Sequence, residues 1–283
     1  YDTLGKVFYV DPNHANANAS NDGTDPDYPL STITAALAKV TDWANDVILV
    51  MMNDAWQYGP GSSRTTAIVE DVIVTKHGVS IVGVCPSGAM GPVWQPATDG
   101  GTACTVRGMD VRIEGFLFDG YAGGAGGTAI YCEWDGAAIW GENTVIRDCT
   151  FSDTVDTAIQ LEYAWNCYIE RCIFQQCDAY GIYVDPAGSG AAYLHIFDNQ
   201  FLDCAVAMAL QGVDDSEILG NRIYNGNAQG GGAAANEGIN TTNGQHNLIA
   251  NNWFSCLLPA VSYTHLRAHE TSLHLVCRLL LEK

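Results

Sequence analysis

Positive charge is what this chain has least of: 12 Lys and Arg stand against 32 Asp and Glu in 283 residues, a formal net charge of −20. With no basic stripe to displace counterions from a phosphate backbone, a nucleic-acid partner is not expected. Long apolar runs are missing too. None approaches the ~20 residues that span a bilayer, so a membrane-crossing role is unsupported. The 10 cysteines lack the paired spacing of a zinc site, and Cys172 with Cys177 is too common a pattern to count. Residue 1 is Tyr rather than Met and no signal peptide precedes it, so a fragment or a processed chain is expected. What is present is a hydrophobic fraction of 47%, enough for a real core in one large all-β domain or two ordinary ones.

Internal repetition organises that content. Five segments align without a gap: "VIRDCTF", "YIERCIF", "HIFDNQF", "EILGNRI" and "LIANNWF". Each places an aliphatic residue five positions before a large apolar one: Ile146 and Phe151, Ile169 and Phe174, Ile196 and Phe201, Ile218 and Ile223, Ile249 and Phe254. Ile113 and Phe118 form a less perfect earlier copy. Three residues after each of the five Ile comes Cys149, Cys172, Asn199, Asn221 or Asn252, a position restricted to small polar or thiol side chains. A second strand signal lies between copies, "AIQL", "GIYV", "AMAL" and "GINT", alternating with period two. One turn has fixed length while others accept insertions, at Asp185 to His195 and Asn225 to Glu237. A period of 22 to 31 residues without helical patterning fits a solenoid whose coils stack on one another.

The chain here resembles the right-handed parallel β-helix proteins of the pectate-lyase-like superfamily, over roughly residues 60 to 257. That resemblance implies an all-β fold, a right-handed single-stranded parallel β-helix, with an Asn ladder at the short turn. Cys149 and Cys172 depart from Asn, so a mixed ladder is expected. Residues 8 to 40 resemble the superfamily's opening, with a strand, an acidic turn and a short helix covering the first coil. Ser31 is placed to N-cap that helix, which carries Ile33, Leu37 and Val40 on one face. Asn21, Asp22, Asp25 and Asp27 offer oxygen ligands for Ca²⁺, but EF-hand spacing is absent and a solvated turn is the favoured reading. The domains are then 1–45 as cap, 46–260 as β-helix truncated at its C-terminal end, and 261–283 as a separate tail.

The tail, "VSYTHLRAHETSLHLVCRLLLEK", resembles a translated sequencing-library adapter and is expected to be non-native. His265, His269, His274 and Cys277 are therefore not used as ligands or nucleophiles. Without it, 9 basic residues face 30 acidic ones. Of the remaining cysteines, Cys149 should lie over Cys172 and Cys177 over Cys204, as buried free thiols rather than disulfides. His14, His77, His195 and His246 show no partner pattern.

Strand alternation supplies the candidate site. If Ile130, Ile159, Ile182, Met208 and Ile239 point inward, then Tyr131, Gln160, Tyr183, Ala209 and Asn240 point outward, as do Glu133, Glu162, Asp185, Gln211 and Thr242. Three carboxylates, Glu133, Glu162 and Asp185, would share a column at about 4.8 Å per coil. Like charges that close need compensation, from Ca²⁺, a shared proton, or Arg107 on the preceding coil. Tyr131, Trp134, Tyr163, Trp165 and Tyr183 surround the column with faces on which sugar rings stack.

Acids among aromatics suit glycoside hydrolysis, which needs one protonated and one ionised carboxyl. A lyase would need a basic residue instead, and only Arg107 is placed for it. The competing view is that outward strand residues are acidic simply because they are solvated. Two functions follow: a carbohydrate-binding and polysaccharide-degrading β-helix acting on a polysaccharide or surface glycan, or a non-enzymatic spike such as a virion tail protein or adhesin. The second would form a homotrimer through missing C-terminal elements. Either places the chain outside the cell or on a virion or cell surface.

Overall fold

The computed structural model describes residues 5–51, 67–84, 91–120, 127–134, 141–152, 156–185, 190–225 and 237–256. The tail from 261 to 283, Cys85 and the middle of both insertions lie outside the described residues. The chain is a right-handed single-stranded parallel β-helix with a short N-terminal strand and helix. Among the described residues its strands form parallel sheets of nine, seven and eight members, with a two-stranded ladder beside them. In each sheet neighbours follow chain order, as they must when the chain winds repeatedly in one sense.

The Ile of every repeat falls in one interior file. Ile146 pairs with Ile169, Ile169 with Ile196, Ile196 with Ile218 and Ile218 with Ile249. The file continues upward through Ile113, Ile81, Ile48 and Phe8, so the stack begins earlier than the repeats suggest, with Val7–Val10 as the first strand of the nine-stranded sheet. Five positions on, Phe118, Phe151, Phe174 and Phe201 stack in turn behind Trp94, which opens that file. Their ring centroids are 5.3, 5.3, 4.9 and 4.4 Å apart, and all five are 0% exposed.

The turn between these two files is built by conformation as much as by side chain. Asp148, Arg171, Asp198 and Asn251 have φ between 54° and 57°, and Gly220 has φ 70°. Each immediately precedes a ladder residue, and Asn, Asp and Gly tolerate this left-handed region best. Arg171 does so while its guanidinium grips both Asp148 oxygens at 2.8 and 2.9 Å. The ladder itself is mixed. Asn221 accepts from the Asn199 main-chain N–H and side-chain amide, both at 3.0 Å, and Asn199 accepts from the Cys172 N–H at 2.9 Å. Cys149 and Cys172 direct their thiols to the Ile113 and Ile146 carbonyls in place of amides.

Two expectations need correction. The N-cap of the helix Ile33–Leu37 is Thr32, whose side chain accepts from Ala35 N–H, rather than Ser31. The period-two alternation also breaks at the start of the strands Thr157–Leu161, Tyr180–Val184 and Val206–Gln211. There Ala158, Gly181 and Ala207 are buried next to the buried Ile159, Ile182 and Met208. A corner forms where two successive residues face inward, and only a small residue fits it. A Cβ on Gly181 would lie 2.6 Å from the Ala207 carbonyl and 2.8 Å from the Phe201 ring.

The acidic loop carries no open cage of carboxylates. Asp22 accepts from the Thr24 N–H and Asp25 from the Asp27 N–H, both side chain to main chain two residues on. Hydrogen bonding to Thr24 holds the Asp22 carboxyl below its ordinary value.

Candidate functional site

The site lies on the outer face of the seven-stranded sheet, across the strands Thr102–Val106, Thr128–Cys132, Thr157–Leu161 and Tyr180–Val184. Their register puts Thr105, Tyr131, Gln160, Tyr183, Ala209 and Asn240 in one row. Beneath them Ile130, Ile159, Ile182 and Met208 are fully buried. One residue past the strand ends the ladder continues, with Glu133 N–H bonding Val106 O, Glu162 N–H bonding Cys132 O and Asp185 N–H bonding Leu161 O. Arg107, Glu133, Glu162 and Asp185 therefore stand on successive windings in one column.

Compensation of the column comes from the protein itself. Arg107 Nε and Nη2 each lie 2.8 Å from Glu133 Oε2, with the two side chains 36% and 25% exposed. One winding on, the Tyr131 hydroxyl donates to Glu162 Oε2. Burial first, then the hydrogen bond and charge of Glu162, then the charges of Glu133 and Asp185, hold the Tyr131 phenol well above its ordinary value. All three carboxylates thus act on one neutral hydroxyl. Burial, with Asp185 and Tyr180 behind it, raises Tyr183 in the same sense.

The aromatic residues separate into two groups. Trp134 packs on Tyr163 with ring centroids 4.7 Å apart and planes at 48°. The Trp134 indole Nε1 is buried and is the side-chain nitrogen that finds no acceptor among the described residues. Tyr163 adopts φ 51°, where the same place in later windings holds Gly212 and Asn243 with φ 65° and 58°. A bulky aromatic in this conformation is an uncommon choice with an energetic cost. Trp165, 42% exposed, lies against Tyr193, with ring centroids 6.4 Å apart. Tyr180 joins the aromatic set unforeseen, stacking on Tyr183 at 4.7 Å. The corner at Gly181 and Ile182 explains this, since two inward residues in succession leave i and i+3 on the same outer side. A Gly opening a strand was the available signal.

Among the described residues no three His, Cys, Asp or Glu side chains group so as to hold an ion. The thiols Cys104, Cys132, Cys149, Cys167, Cys172, Cys177 and Cys204 are free and buried. Burial raises the thiol of Cys104 and Cys132, and that of Cys167 to about 12, which disfavours the thiolate a soft metal would need. His77 instead stacks on Trp43 at 4.8 Å, and His195 on Tyr168 at 4.3 Å.

Windings in strict register, a core of stacked rings and a polar column along one outer face define a protein of the parallel β-helix class. The family described as "Periplasmic copper-binding protein (NosD)" matches residues 121–262, half of the chain, and the chain belongs to that family. No curated protein matches its sequence. Two solved structures are similar: a rhamnogalacturonan lyase, 13% identical with TM-score 0.39, and the pectate lyase Pel9A, 14% identical with TM-score 0.30. They align with 91% and 90% of this chain, which spans 60% and 81% of their lengths. At that level of likeness neither carries an activity to this chain.

Proposed function

We propose that this chain is a carbohydrate-binding β-helix that takes a glycan along the stack of windings, over Arg107, Tyr131, Glu133, Glu162, Tyr183 and Asp185. The observation that carries the reading is the half-buried Tyr131 hydroxyl among three carboxylates, with the Tyr180–Tyr183 and Trp134–Tyr163 ring pairs as flat faces for sugars. Repetition at about 4.8 Å per winding presents similar groups at regular steps along an extended chain.

Within this reading hydrolysis is favoured over elimination. An eliminase needs a free base, and the Arg107 guanidinium is occupied by Glu133, besides being a group that keeps its protons in proteins. Glu133, which accepts from the Arg107 guanidinium, suits the nucleophile or base, and Glu162, which accepts from the Tyr131 hydroxyl, suits the partner carboxyl. Adjacent windings give nearly the ~5 Å separation of a retaining pair. The family's description supports a periplasmic or extracellular place of action. Copper, which that description also names, is not part of this proposal, because the described donor set does not converge.

The test is a panel of soluble polysaccharides and their oligosaccharides, with and without Ca²⁺, assayed for binding by calorimetry and for cleavage by reducing-end release. Binding that falls at least tenfold in Tyr183→Ala supports the site. Cleavage that disappears in Glu162→Gln with binding retained supports hydrolysis. A chain that binds no glycan refutes the reading and favours the non-enzymatic spike.

A further inference from the structure

Seven free thiols are buried among the described residues, and four of them sit in two register pairs that the glycan reading does not use. Cys149 and Cys172 occupy the same ladder place on successive windings, since the following residues Thr150 and Ile173 are paired and Ile173 N–H bonds the Cys149 carbonyl at 2.9 Å. Cys177 and Cys204 do likewise after the paired strands Ile173–Gln175 and Gln200–Leu202, with Ala205 N–H bonding the Cys177 carbonyl at 3.0 Å. Both side chains of each pair point into the core, where they are at most 1% exposed.

In-register neighbours in a parallel stack are about 4.8 Å apart at Cα, inside the span of roughly 4.4–6.8 Å that a disulfide bridges. The thiols of each pair lie close enough that each acts on its partner's protonation. The remaining thiols lack that arrangement. Cys104 faces Ile130 across its strand pair, and Cys132 faces Val106 and Leu161.

We propose that Cys149–Cys172 and Cys177–Cys204 are sites of winding-to-winding disulfide formation, closed during folding by a small-molecule disulfide oxidant such as oxidised glutathione. In each closure a thiolate attacks the oxidant, giving a mixed disulfide and one reduced thiol. The second cysteine then attacks the mixed disulfide, forming the internal S–S bond and releasing a second reduced thiol. Two electrons and two protons pass to the oxidant for each bridge. The reaction belongs to the folding chain because in the finished core the thiols are sealed from solvent and hold their protons.

The whole chain, refolded from denaturant in a mixture of reduced and oxidised glutathione, is quenched, alkylated and digested, and its disulfide-linked peptides are identified by mass spectrometry. Two linked pairs, 149 with 172 and 177 with 204, are expected, together with slower unfolding in urea than for the chain refolded under reductant. Complete alkylation of these four cysteines, or their pairing with other cysteines, overturns the proposal. The double substitution Cys149→Asn and Cys172→Asn places there the residue the later windings use, so the ladder is kept. In it the 177–204 link should persist alone, and its loss would equally overturn the proposal.

Discussion

Asn221 tests whether the interior ladder is held by its hydrogen bonds or by packing alone. Its fully buried amide accepts from the Asn199 N–H and Nδ2, both at 3.0 Å, and donates to Ile196 O and Asn252 Oδ1, both at 2.9 Å. Asn221→Ala removes all four bonds at once. Each contributes about 1 kcal/mol net, and depriving the buried Asn199 N–H of this acceptor adds about 1 kcal/mol or more. The expected loss is therefore roughly 4–5 kcal/mol, a large share of the ~5–15 kcal/mol that holds an ordinary domain together. Asn221→Cys restores a small polar side chain of the kind that windings 149 and 172 use, so it should cost about half as much. The assay is urea unfolding followed by far-UV circular dichroism, with native-state hydrogen exchange at Asn199 and Arg222. Because windings couple mainly to their neighbours, exchange should accelerate there before the whole chain unfolds. A loss below about 1 kcal/mol in Asn221→Ala, or a larger loss in the Cys variant than in the Ala variant, would refute the reasoning.

At the corner, Gly181→Ala drives a methyl against the Ala207 carbonyl and the Phe201 ring, so a loss of about 2 kcal/mol in the urea transition is expected; an unchanged midpoint would show that the ring gives way. Reduced protein should lose stability as pH rises above about 9. The unfolded chain releases thiol protons from there on, whereas burial keeps Cys104, Cys132 and Cys172 protonated in the fold, and the hydrogen bond from Cys204 together with burial does so for Cys177. The native state then binds more protons than the unfolded state, so the slope is negative. Anaerobic urea midpoints from about pH 8 to 10.5 check it, and a flat or rising series would contradict the assignment.

Much of this architecture was legible because the winding constrains sequence at fixed offsets. An Ile that must lie under the next Ile, and a large apolar residue five places on, leave a mark that needs only the chain. The outward column was legible by the same logic, and Arg107 could be placed one winding above Glu133 before any coordinates. Other features left no such mark. The corner file escaped because Ala and Gly satisfy the polar half of an alternating pattern as well as a second inward position. The left-handed residues escaped because Arg171 and Tyr163 hold φ values that their types rarely adopt, for reasons that lie in neighbours distant along the chain. The contact of Trp165 with Tyr193 left no mark either, because Tyr193 comes from the next winding, beyond an insertion of variable length.

The N-terminal helix has a dependence its brevity conceals. Its leading amides close on Glu70, with Ile33 N–H at 2.9 Å from one oxygen and Thr34 N–H at 3.1 Å from the other, across 36 to 37 residues of chain. The helix cannot complete these bonds when it leaves the ribosome. It waits until the polypeptide has gone once around, and anyone transplanting it onto another solenoid must carry that glutamate with it.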